Sequence, residues 1–150
     1  MAAPLLQAQI DIDAPVAKVW DLVSDLKLMP QWSPQCRLMK AFGPVRAGAR
    51  TINLNRRKFL FWPTTSQITE FIPEKKFAFR VNENGTVWSY ELEPTDTGTR
   101  LVETRHAENG VKPFSTITVN ALMGGVPSFE QELVDGMNAS LARIKAAAES

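Results

Sequence analysis

Between Gln35 and His106 the chain repeats one arrangement, a short apolar segment followed by a cluster of turn-forming residues. The clusters read FGPVRAG, RRKFLFWP, IPEKK, NENG and PTDTG. Gly, Pro, Asn and Asp supply the backbone angles that reverse a chain, and apolar runs this short between them read as strands. Connections of this length join antiparallel neighbours, because parallel strands need a crossover of a dozen residues or more. Six strands linked by hairpins are therefore expected across this stretch.

The flanking segments differ in period. Leu6, Ala8, Ile10 and Ile12 alternate with Gln7, Gln9, Asp11 and Asp13, the pattern of a strand with one buried face. Ala14-Pro15 then opens a helix, with Val16, Val19, Trp20 and Val23 at helical spacing. Leu28 to Trp32 reads as a second short helix, kept brief by Pro30 and Pro34. At the other end Pro127 starts a helix expected to run to Ala148, about 33 Å at 1.5 Å per residue. Phe129, Leu133, Met137, Leu141 and Ile144 form its apolar stripe. Glu108 to Gly125 is apolar without a clean period and reads as an irregular segment or a partly helical lid. Strand, two helices, six strands and a long helix argue for one α+β domain over residues 1–150, a curved antiparallel sheet wrapped around a terminal helix.

Bulk properties narrow the function. Seventeen Lys and Arg face sixteen Asp and Glu, so the formal net charge of +1 offers no global basic field for nucleic acid. Cys36 is the one cysteine and His106 the one histidine, which leaves no metal-ligand cluster and no Cys/His or Ser/His/Asp set for nucleophilic catalysis. No cofactor is implied. MAAPLLQAQIDID lacks the basic and apolar regions of a secretion signal, and no apolar run approaches the ~20 residues of a membrane span, so a cytoplasmic protein is expected.

In order along the chain, APVAKVWDLVSDL, PQWSP, GARTINLNRR, WPTTSQITEFIPEKKFAFRV, WSYELEPTDTGTRLVETR and DGMNASLARIKAAAE resemble the polyketide cyclase/dehydrase and lipid-transport family. This is a branch of the helix-grip (SRPBCC, START-like) superfamily. The resemblance covers nearly the whole chain. It implies a seven-stranded sheet gripping the C-terminal helix around an apolar cavity, with no fixed chemistry attached.

Candidate site residues follow. Trp88, Tyr90 and Leu92 share one strand face, and Phe77, Phe79 and Val81 another. They fill a core or line a ligand space; Tyr90 is the polar candidate, since a buried phenol needs a partner. Trp32 in the PQWSP motif, with Phe129, Leu133 and Met137 on the helix, completes the candidate ligand contacts. In the third strand the apolar pattern points Ile52 and Leu54 inward, whereas the family's motif turns Thr51, Asn53 and Asn55 toward the cavity. The last hairpin is equally open. A four-residue loop, Thr95 to Gly98, pairs Tyr90 with Glu103 and buries Glu103, while a three-residue loop buries His106. Either residue inside an apolar cup is a candidate acid or base alongside Tyr90.

The stretch NRRKFLFWP, Asn55 to Pro63, reads as a hairpin tip spanning Arg56 to Phe61. It is either solvated with its apolar residues folded under, or a cavity rim that meets an anionic lipid head or a partner surface. Three cations are too few for lasting membrane anchoring, so membrane contact is transient at most. The expected function is binding or transport of a small, largely apolar lipid or polyketide-like ligand. The alternatives are a cyclase or dehydratase, and a toxin-like or homodimeric interaction protein.

Overall fold

The computed structural model describes residues 5–107 and 126–150, with side chains in the C-terminal helix described from Glu130 onward. Seven strands form one antiparallel sheet: β1 (Leu5–Ile12), β2 (Cys36–Ala41), β3 (Arg50–Arg57), β4 (Leu60–Ile72), β5 (Lys76–Val81), β6 (Val87–Pro94) and β7 (Thr99–His106). Their order is β1-β7-β6-β5-β4-β3-β2, so β2 to β7 run as consecutive hairpins and β1 closes onto β7. Register irregularities between Cys36 and Leu38 and between Ile68 and Glu70 bend the sheet, as bulges do. The bend gives it a concave inner face.

Helix α1 (Val16–Val23) buries Val19, Trp20 and Val23 from its apolar stripe. A 3₁₀ turn at Leu26–Leu28 follows, opened by the Asp25 carboxylate accepting from the Lys27 amide at 3.0 Å. α2 (Met29–Trp32) carries Pro30 in its first turn, where a missing N–H costs nothing. The long helix α3 (Val126–Glu149) lies along β1 and against α1 and α2. Met137, Leu141 and Ile144 of the expected stripe are buried, while Leu133 is half-buried.

Side chains from both layers meet in one core. Trp20 of α1 meets Phe71 edge-on at 5.2 Å, and Phe71, Phe77 and Phe79 continue as a row of ring contacts at 5.8 and 5.7 Å. Among the described residues no helix is long and apolar enough to cross a membrane.

The structure decides both parity questions. In β3 Thr51 and Asn53 are buried and Ile52 is 39% exposed, so the polar residues face inward and the apolar alternation does not. In the last hairpin the Thr95 amide donates to the Gly98 carbonyl at 2.9 Å, giving the four-residue loop. Tyr90 then pairs with Glu103, and His106 is exposed.

The β3–β4 tip departs from expectation. β3 runs through Arg57 and β4 starts at Leu60, which leaves a two-residue turn, Lys58-Phe59. Its apolar residues do not fold under: Phe59 is 94% and Phe61 58% exposed. The expected lid, Glu108 to Gly125, lies outside the described residues.

Candidate functional site

The inner face can be read strand by strand from the register. Ala8 of β1, Glu103 of β7, Tyr90 of β6 and Phe77 of β5 lie side by side, as do Leu6, Arg105, Trp88 and Phe79 one step along. Tyr90 and Glu103 are 3% and 5% exposed. The phenol and the carboxyl are cross-strand neighbours, and Glu103 Oε1 has no partner among the described residues. Burial pushes the Glu103 carboxyl up to about 8, with the Tyr90 phenol acting in the opposite direction. Burial also raises the Tyr90 phenol well above its usual range. At neutral pH both groups are therefore mainly protonated, and Glu103 is an acid rather than an anion.

Farther around the cup, β3 and β4 supply a polar ladder. Thr51 donates to Asn53 Oδ1 at 2.9 Å and contacts the Ser66 hydroxyl; the Asn53 amide reaches the Thr64 and Ser66 hydroxyls at 3.2 and 3.4 Å. Asn55 continues the row, donating to Thr64 Oγ1 at 3.0 Å and to the Trp62 carbonyl at 3.3 Å. These groups satisfy one another, so their burial needs no ligand.

Not every inward side chain is covered. Trp62, Thr64, Phe79 and Trp88 point to the concave face yet remain only half-buried. The helix is instead tied across the cup by two ion pairs. Arg105 Nη2 donates to Glu130 at 3.1 Å, and Arg57 Nε to Glu132 at 2.7 Å. β7 and β3 thus hold α3 from two sides.

Among the candidate contacts, the structure brings Phe79, Trp88 and Tyr90 together on neighbouring strands, with Asn53 and Asn55 farther along the same face. Met137 is buried on α3, and the Phe129 side chain lies outside the described ones. Trp32 is a packing residue, its indole N–H donating to the Leu22 carbonyl at 3.2 Å and its own carbonyl accepting from Arg143. Exposed on the outer face, His106 is not brought to Tyr90, which leaves Glu103 as the titratable partner. Cys36 is buried, its thiol pushed up to about 11 by desolvation, which makes it a poor nucleophile.

Sequence reasoning missed Arg105, Glu130 and Glu132. Arg105 was within reach: two residues from Glu103 in a strand, it must share that residue's face.

One comparison decides the family. A match to the family described as polyketide cyclase / dehydrase and lipid transport spans residues 4–149. The chain belongs to that family. Solved structures agree at the level of fold. The Polyketide_cyc-like protein Cgl2372 from Corynebacterium glutamicum is 24% identical over 95% of this chain and 90% of that one, with a TM-score of 0.66. The di-domain ARO/CYC StfQ from the steffimycin biosynthetic pathway is 15% identical over 97% of this chain, with a TM-score of 0.77, and this chain spans 50% of its length. Protein NE0264 from Nitrosomonas europaea is 16% identical over 95% of this chain and 92% of that one, with a TM-score of 0.67. No curated protein matches the sequence. Members of this family bind hydrophobic ligands or act as polyketide cyclases.

Proposed function

We propose that the protein binds a small, largely apolar molecule, lipid or polyketide-like, between the inner face of the sheet and α3. The observation that carries this reading is the set of inward aromatic side chains, Trp62, Phe79 and Trp88, left half-buried beside a buried Tyr90–Glu103 pair. Apolar surface that faces a concavity without being covered gains by burial against a ligand. A protonated Glu103 with one oxygen unpartnered among the described residues suits a carbonyl or hydroxyl at the ligand's polar end. An apolar fluorescent probe should bind one to one, and Met137→Trp should weaken it at least about tenfold, or ~1.4 kcal/mol, with the fold retained. Probe binding that is absent or unaffected by this substitution contradicts the site.

A second reading, a cyclase or dehydratase, is favoured by Glu103 itself. A buried carboxyl titrating near neutrality beside a phenol is what general acid-base catalysis requires. Glu103→Gln separates the two. In a binder it changes affinity by less than about tenfold and no turnover accompanies binding. In an enzyme it abolishes conversion of the bound molecule while binding survives.

A further inference from the structure

The overall charge of +1 conceals a strong polarity. Residues 36–69 contain seven Lys and Arg and no Asp or Glu, leaving ten against sixteen in the rest of the chain. The segment comprises β2, β3 and most of β4, one end of the sheet that terminates in the edge strand β2. Register places Leu38, Leu54 and Pro63 in a row across its outer face, with Ile52 beside Lys40 and Phe61 opposite Arg56. Leu38 and Ile52 are 47% and 39% exposed.

At the end of this face stands the Lys58-Phe59 turn. Lys58 takes a positive φ of 56°, unfavourable for a residue with a Cβ, and Arg56 Nε holds its carbonyl at 2.8 Å. The turn presents Phe59 almost wholly to solvent, and Arg56 stacks on Phe61 at 5.4 Å from the ring centre. Among the described residues Lys40, Arg50, Arg56 and Lys58 form no ion pair. Beside the face an open cleft of about 1020 Å³ is lined by Phe42, Arg46, Arg50 and Gln67, among others.

We propose that the outer face of β2–β3–β4, led by Phe59 at the β3–β4 turn, docks onto an anionic lipid surface. Apolar and aromatic side chains interleaved with unpaired cations match the interface of a charged membrane, where rings enter the headgroup layer and cations meet phosphates. The tip contributes Arg56 and Lys58, since Arg57 turns inward to Glu132, and the fold adds Lys40 from β2 and Arg50 from the start of β3 to the same side. A second copy of this chain is a poor occupant. Two-fold pairing of the patch sets these cations against their own duplicates, and the one carboxylate the described residues place at its border, Glu83, is already held by the Thr65 amide and hydroxyl. The inference does not depend on what the cup binds.

Vesicle co-sedimentation tests it. Binding to vesicles containing phosphatidylglycerol should exceed binding to phosphatidylcholine alone by at least about tenfold at ~0.1 M salt and collapse near ~1 M, as the Debye length falls from about 10 to about 3 Å. Phe59→Ser combined with Phe61→Ser, and separately Arg56→Glu with Lys58→Glu, should each lose about tenfold or more of that binding. Uptake of the apolar probe should be unchanged in both, thermal melts should shift only slightly because the groups involved are exposed, and Lys75→Glu, in the turn at the far end of β4, should retain binding. Equal binding to both vesicles, no binding, or binding indifferent to the tip variants overturns the proposal. So does a dimer in sedimentation velocity that Phe61→Ser dissolves, or tight oligonucleotide binding lost with the charge reversal.

Discussion

Glu103 couples the candidate site to stability. Its folded carboxyl sits at about 8, against about 4.5 when solvated, so between those values the folded chain holds a proton that the unfolded chain has released. Stability from this group is full below about 4.5 and is lost as pH rises through about 8, by up to about 1.4 kcal/mol per pH unit. Asp11 and Glu149 shift the opposite way, held down by Arg100 and Lys145, and oppose this only in acid. Urea denaturation should show declining stability from pH 5 to 8, a slope that Glu103→Gln flattens; an unchanged slope removes Glu103 as its source. Gly98 is constrained by space. A Cβ there meets the Ile12 carbonyl oxygen and lies 2.8 Å from the Ala14 amide nitrogen, both backbone atoms, while neighbouring Thr99 donates to the Ala14 carbonyl at 2.8 Å. Gly98→Ala should therefore cost about 2 kcal/mol in denaturant melts.

At the scale of elements, α3 is clasped by two ion pairs of unequal worth. The Arg105 and Glu130 side chains are 4% and 16% exposed; those of Arg57 and Glu132 are 18% and 40%. Arg105 is the buried member of the less exposed pair, so Arg105→Met should cost more, about 1 to 2 kcal/mol, than Arg57→Ser, whose partner is solvated and which should cost under about 1. Equal losses would mean that the helix is held otherwise. These pairs also mark the limit of what sequence discloses. Turn clusters announced β2 to β7 and the apolar stripe announced α3, because those signals are local. Local signals did not decide which face of β3 turns inward: Ile52 and Leu54 alternate as core residues do, and only the mutual bonding of Thr51, Ser66, Asn53 and Thr64 makes the polar face the buried one. Similarly, one residue of loop length separated a buried Glu103 from a buried His106. Glu130 and Glu132 lie on a helix whose partners are 25 and 75 residues away in sequence, beyond any periodicity.

In the molecule as a whole, the two proposed sites lie on opposite faces of one bent sheet. The concave face holds partly uncovered rings around Tyr90 and Glu103, and the outer face of β2–β4 gathers cations and exposed apolar side chains while the rest of the chain is acidic. The central claim is that the concave face takes up a small apolar molecule. Native mass spectrometry of protein purified from its own host tests it most directly. A retained mass at one molecule per chain is expected, lost or exchanged in Met137→Trp at unchanged fold. A chain that flies without added mass, and that takes up no apolar probe when offered one, would contradict it.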